Sequence, residues 1–188
     1  MKTAIILHGM PSKEGYFDPE REAQSNSHWL PWVQRQLILK NVLAQAIELP
    51  TPYEPVYEDW KRTFEQFHID EDTILIGHSC GGGFLIRWLS ENNTKVGRVV
   101  LVAPWLDPDG EVDNDFFDFQ IDPELVGKTD GIHIFISEDD DADSLDSLKI
   151  IEKKIKNVSV TRFKDRGHFT YGDMGTEEFL ELIDVIFE

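Results

Sequence analysis

The chain has 188 residues, a length that fits one domain around one core, with 40% hydrophobic and 29% charged residues. Its formal charge of −18, from 36 acidic and 18 basic side chains, repels nucleic acid and anionic lipid, so neither is expected as a partner. The single cysteine excludes an internal disulfide. No apolar run reaches the length of a membrane span, and Ala4–Leu7 is too short for a signal-peptide core, so a cytoplasmic protein is expected.

In chain order, Ala4–His8 reads as a buried strand ending at Gly9. Met10–Asn26 is polar, with proline, glycine and mixed charge, and reads as a long loop that could partly cover a site beside it. Ser27 is a candidate N-cap for a helix carrying Trp29, Val33, Leu37 and Ile38 at helical spacing. Ala46–Leu49 is a short strand closed by Pro50 and Pro52, and Val56–Phe67 a helix with Val56, Trp60, Phe64 and Phe67 on one face. Thr73–Ile76 is a strand, Phe84–Leu89 lies in the following helix, and Arg98–Ala103 is a strand covered on both faces. Trp105–Lys128 is irregular and acidic. Strand Ile132–Ile136, a helix marked by Leu145, Leu148, Ile151 and Ile155, strand Val158–Arg162 and a closing helix from Phe179 to Phe187 complete the pattern. About six strands alternating with helices imply an α/β fold: a mostly parallel sheet with helices on both faces, one domain over 1–188.

The richest stretch is Ile74-Leu75-Ile76-Gly77-His78-Ser79-Cys80-Gly81-Gly82-Gly83. Gly-x-Ser-x-Gly between a strand and a helix is the layout of a nucleophile elbow. Gly77 and Gly81 let two backbones pass closely, and Ser79 is expected in a strained conformation with its hydroxyl exposed. A serine hydroxyl needs a base, and the base an orienting carboxylate. On a parallel sheet, reactive groups gather at the carboxyl ends of strands. His168, in a Gly-His turn just past the last strand, is the expected base among six histidines. Asp140 is the preferred acid and Asp139 the second choice, both just past a strand end, while Asp143 and Ser144 read as caps of the next helix. Backbone N–H groups of Met10 and Cys80 are the expected oxyanion donors. Cys80 stands one place past the apex of the elbow, so its thiol reads as a buried filler. Trp105, Phe116 and Phe117 either line an acyl pocket or pack beneath the acidic segment, the packing role being somewhat favoured. Asp139-Asp140-Asp141-Ala142-Asp143 lacks the glycine and terminal glutamate of a calcium loop, and no other metal or cofactor motif occurs, so none is expected.

His8-Gly9, Trp29-Leu30-Pro31-Trp32-Val33, Asp59-Trp60, the Gly77–Gly81 elbow, Val102-Ala103-Pro104, Ser137-Glu138-Asp139-Asp140 and Gly167-His168-Phe169 occur in order. Over nearly the whole chain this resembles the small, lidless α/β-hydrolases typified by retinoblastoma-binding protein nine and by bacterial predicted esterases. The resemblance implies a compact sheet without the first antiparallel strands of larger members and a Ser-His-Asp triad on Ser79, His168 and Asp140. The chain departs from the family in having no proline after the aspartate pair and in the extended Met10–Ser27 segment. The expected function is hydrolysis of a small carboxylic ester or activated amide. The alternatives are a non-catalytic protein-binding module on the same scaffold, which a protein partner would suit, and acyl transfer through the same acyl-enzyme.

Overall fold

The computed structural model describes residues 1–188. Its elements are β1 (Thr3–Leu7), α1 (Lys13–Tyr16), α2 (Leu30–Leu39), β2 (Leu43–Ile47), α3 (Tyr57–Phe64), β3 (Thr73–His78), α4 (Cys80–Glu91), β4 (Val99–Val102), β5 (Ile132–Ser137), α5 (Ala142–Lys154), β6 (Ser159–Phe163), α6 (Tyr171–Met174) and α7 (Leu180–Phe187), with short 3-10 turns between some of them. The six strands form one sheet in the order β2-β1-β3-β4-β5-β6, and every pairing is parallel. Strands β1, β3 and β4 are buried runs of Ile, Leu and Val, as a sheet covered on both faces requires. Helices α2 and α7 pack together on one face. On the other, Tyr57, Trp60 and Phe64 of α3 meet Phe84 of α4 at ring separations of 5.4–5.8 Å. Helix α5 lies beside this layer, its Ser147 hydroxyl accepting from the Leu106 N–H at 2.9 Å. No helix is long and apolar enough to cross a membrane.

Strand order reverses between β1 and β3, where Leu7 is paired with Gly77. The chain leaves β1 and β2 on one side and β3 to β6 on the other, so a crevice opens beyond the carboxyl ends of β1 and β3. The Gly9–Met10 turn and Ser79 both stand there.

Several local expectations shift. Helix α2 begins at Leu30 with Trp29 as its N-cap, and the Ser27 hydroxyl turns back to donate to the Ala23 carbonyl at 3.2 Å. Pro31 in the first turn does the starting there, since a helix has no use for the missing N–H at that point. Strand β2 begins three residues earlier than expected because Asn41 (φ 62°) reverses the chain immediately after α2. Helix α3 turns Tyr57 inward and leaves Val56 44% exposed as its N-cap residue. The 10–27 segment contains α1, whose N-cap hydroxyl on Ser12 accepts from the Gly15 N–H at 3.0 Å. Helix α5 takes Asp141 as N-cap, so Asp143 and Ser144 lie inside it.

The irregular 105–128 segment is pinned by Arg87 of α4. This buried guanidinium donates to the carbonyls of Asp115 and Phe116, pairs with Glu91 at 3.0 Å and stacks 3.6 Å from the centre of the Tyr57 ring. Phe116 is thereby fully buried against Trp60 and Tyr57.

Candidate active site

Ser79 joins β3 to α4 at φ 51°, ψ −121°, a conformation that costs a non-glycine residue about 1–3 kcal/mol. The surroundings over-determine it. Its N–H donates to the Val102 carbonyl at 2.9 Å, and its carbonyl accepts from the N–H groups of Gly82, Gly83 and Trp105 at 2.9–3.1 Å. The glycines are needed for approach: a Cβ on Gly77 would lie 2.8 Å from the backbone of Gly81 and Gly82, and one on Gly81 would strike the His8 carbonyl. The Met10 and Cys80 N–H groups donate to no other group of the protein.

His168 sits between β6 and α6 in a loop with two left-handed residues, Gly167 (φ 48°) and Phe169 (φ 57°). Phe169 is the anchor, fully buried and stacked on Phe179 with ring centres 5.6 Å apart. The backbone of His168 is held from two sides. Its carbonyl accepts from His78 Nε2–H at 2.8 Å, and its N–H donates to Asp173 Oδ2 at 3.1 Å. Asp173 also accepts from the N–H and hydroxyl of Thr170, closing a capping box over α6.

Asp140, the preferred acid, has a side chain with no solvent exposure, and its Oδ1 accepts from His168 Nδ1–H at 2.8 Å and from the Asp141 N–H at 2.7 Å. Asp139 does not touch the imidazole; its carboxylate accepts from the Ser137 hydroxyl and from the Gly167 N–H at 3.0 Å, fixing the loop that carries His168. Ser144, expected as a cap, is buried with its hydroxyl 3.3 Å from His168 Nδ1. Burial alone would depress His168, but the hydrogen bond and charge of Asp140, with the charges of Asp141 and Asp173, outweigh it and raise its pKa above the usual histidine value. Asp140, Asp141 and His168 bring ligand-type atoms within 4.8 Å of one another. That spacing includes the Asp140–His168 hydrogen bond, which already occupies the imidazole nitrogen.

Ser79 and His168 are not hydrogen-bonded to each other, yet both border two cavities that meet at the elbow, as does Met10. The larger, about 580 Å³, runs over the 10–28 segment, which forms its wall. The smaller, about 420 Å³, is bounded by Trp105, Glu111 and the start of α5. Of the aromatic trio, Trp105 lines the smaller cavity. Phe117 packs behind Trp105 with ring centres 5.1 Å apart, and Phe116 belongs to the core, because Arg87 draws that stretch of chain onto α4. Cys80 is fully buried, and burial, reinforced by Asp107, pushes its thiol well above the usual cysteine range.

Sequence reasoning missed the supporting residues. His78, beside Gly77 in the elbow, supports the His168 loop through its ring. His28 accepts from the Tyr171 N–H through Nδ1 at 3.1 Å and so fixes the start of α6 from the opposite wall. Thr170-x-x-Asp173 is a capping-box spacing and could have marked α6 in advance.

The fold is that of the α/β-hydrolases, and the chain belongs to the serine hydrolase family, whose model matches residues 19–184. It is 30% identical over 106 residues to YdeN of Bacillus subtilis (strain 168), a match covering 54% of this chain and 50% of that protein, so the chain spans about half the length of the curated relative it matches. The crystal structure of the ydeN gene product superposes with a TM-score of 0.82 at 23% identity, covering 100% of this chain and 97% of that one. Est1E from Butyrivibrio proteoclasticus is similar at a TM-score of 0.64 and 16% identity, covering 98% of this chain and 85% of that one.

Proposed function

We propose that the protein is a serine hydrolase of small carboxylic esters or activated amides, with Ser79 as nucleophile, His168 as general base and Asp140 as its orienting acid. The observation that supports this most strongly is the buried Asp140 carboxylate 2.8 Å from His168 Nδ1, on a ring that shares a cleft with the strained Ser79. With Nδ1–H committed to Asp140, the lone pair of a neutral His168 lies on Nε2, free to take a proton. Ser79 Oγ attacks the carbonyl carbon and its proton passes to Nε2. The oxyanion forms against the N–H groups of Met10 and Cys80, which have no competing acceptor in the protein. Collapse expels the alcohol or amine, which takes the proton from His168. Water then attacks the acyl-enzyme with the same base, releasing the acid and regenerating Ser79. The open Ser79–His168 geometry suits a free enzyme whose hydrogen bond tightens once substrate binds.

The test is hydrolysis of p-nitrophenyl acetate and a short-acyl ester and amide panel by the wild type and by Ser79→Ala. The expected result is turnover that falls by about 10³-fold or more in the variant. Turnover equal in both, or a folded wild type inactive across the panel, would overturn the reading and favour a binding role on the same scaffold.

A further inference from the structure

The larger cavity beside Ser79 has an unusual lining for an esterase of simple aliphatic substrates. Its apolar and aromatic walls are Met10, Pro11 and Tyr171, the other lining side chains being polar or imidazole, and its charged residues, Arg21, Glu22 and Glu177, are all exposed. Four buried or half-buried imidazoles border it. His8 has both nitrogens engaged, with the Gly9 carbonyl and the Leu49 N–H, and His168 is the candidate base; His28 and His78 each have one nitrogen engaged, which sets their proton positions. The Tyr171 N–H donates to His28 Nδ1 at 3.1 Å, which places the proton of neutral His28 on Nε2, and that N–H has no partner in the protein. His78 donates through Nε2–H to the His168 carbonyl at 2.8 Å, which leaves a lone pair on Nδ1, likewise without a partner. A Cβ built on Gly9 would stand 3.0 Å from Ser79 Cβ and 3.7 Å from His78 Nδ1, so this acceptor borders the same space as the nucleophile. The two rings meet edge to face with centres 5.8 Å apart. Burial holds both below the usual histidine pKa, so both are neutral near pH 7.

A neutral donor and a neutral acceptor, side by side in a polar cleft, match a group that both accepts and donates. A hydroxyl does so; an alkyl chain does not, and a carboxylate would meet the His78 lone pair and the acidic surroundings unfavourably. We propose that the larger cavity binds a hydroxyl-bearing part of the substrate, with His28 Nε2–H donating to and His78 Nδ1 accepting from its hydroxyls, so that the substrate class is the esters of polyols or of hydroxy acids. This rests on Ser79 being the nucleophile. His28 and His78 are specificity-determining residues in this scheme and take no part in proton transfer to the leaving group.

The test uses pairs of substrates that differ only in hydroxyls. Glycerol monoacetate against propyl acetate probes the alcohol side, and ethyl 2,3-dihydroxypropanoate against ethyl propanoate probes the acyl side. At least one pair should show about a tenfold or greater kcat/KM preference for the hydroxylated member, expressed chiefly in KM. His28→Asn is the informative variant. Its side-chain oxygen can still accept from the Tyr171 N–H, and asparagine tolerates the φ of 59° at this position. It lacks the outward Nε2–H, so the preference should shrink by about fivefold at unchanged melting temperature. No preference in either pair overturns the proposal, and a preference untouched by His28→Asn overturns its assignment to this pair of imidazoles. Turnover of p-nitrophenyl acetate that depends on Ser79 separates both outcomes from a failure of the nucleophile assignment itself.

Discussion

Replacing Asp140 by Asn tests how the candidate base is held, and the structure bounds the effect. Asp140 Oδ1 accepts two hydrogen bonds, from His168 Nδ1–H and the Asp141 N–H, while Oδ2 is buried without a partner. The asparagine amide can therefore keep its oxygen toward both donors and place its NH2 where Oδ2 was; the flipped orientation would set NH2 against two N–H groups. The tautomer of His168 survives, and what is lost is the negative charge facing the imidazolium in the transition state. With a nitrogen–oxygen distance of 2.8 Å the charge centres lie about 4 Å apart, where the attraction at an effective dielectric of ~20 is about 4 kcal/mol. A neutral hydrogen bond returns about 1 kcal/mol. The net loss of about 3 kcal/mol corresponds to roughly a hundredfold in kcat/KM. The assay is kcat/KM for p-nitrophenyl acetate from pH 5 to 9. In the wild type the acidic limb should lie above the usual histidine value, since His168 must be neutral to act and Asp140 raises its pKa. In Asp140→Asn the limb should move to lower pH. A loss smaller than about fivefold, or an unmoved limb, would refute the reasoning. Asp139→Asn is the control: its bond to Gly167 supports the loop and is worth about 1 kcal/mol, so a loss of about tenfold or less is expected.

Gly77→Ala should destabilise the protein by about 1–3 kcal/mol or more, because its Cβ would meet backbone 2.8 Å away, and thermal melting should fall by several degrees; an unchanged Tm would contradict the packing described at the elbow. His8, His28 and His78 are held below their unfolded pKa of about 6.5, so the stability they contribute is present above that pH and is lost as pH falls through it. His168 has the opposite sign, its contribution being present below about 6.5 and lost as pH rises through its raised value. Below about pH 6.5 only the depressed histidines change, and unfolding free energy from urea titrations should fall from about pH 6.5 to about pH 5, by at most about 1.4 kcal/mol per pH unit for each nearly fully buried histidine; a flat or rising trend there would contradict the assignment. Cys80 should resist a thiol-specific disulfide reagent in the native protein and react only on unfolding, because it is buried and its thiol is held protonated; rapid native reaction would contradict its place beneath the elbow.

The parts of this molecule written in local sequence are those where one short-range rule dominates. Ile74-Leu75-Ile76 followed by Gly-x-Ser-x-Gly announces a strand, a tight turn and a helix, and β3, Ser79 and α4 follow. The fully covered run Val99–Val102 is equally plain. Residues whose role depends on distant chain are not. Ser27 and Ser144 both look like helix caps, yet Pro31 sets the start of α2, and His168, 24 residues after Ser144, captures its hydroxyl. Phe116 and Trp105 lie in one irregular segment of the sequence, and a guanidinium on α4 draws Phe116 into the core while Trp105 lines the cleft. Asp139 and Asp140 both reach the loop after β6, Asp139 at the Gly167 N–H and Asp140 at the imidazole of His168, and which of them meets the ring is a matter of loop geometry rather than residue type. His78 and His28 carry no pattern of their own; their partners, His168 and Tyr171, lie 90 and 143 residues away.

The central claim is an activated Ser79. Its most direct test is labelling of the purified protein with a fluorophosphonate, which reports a nucleophilic serine without requiring the natural substrate, followed by peptide mapping. One adduct is expected, on the peptide carrying Ser79, abolished in Ser79→Ala and strongly slowed in His168→Ala. No adduct on the folded wild type, or an adduct on another residue, would contradict it.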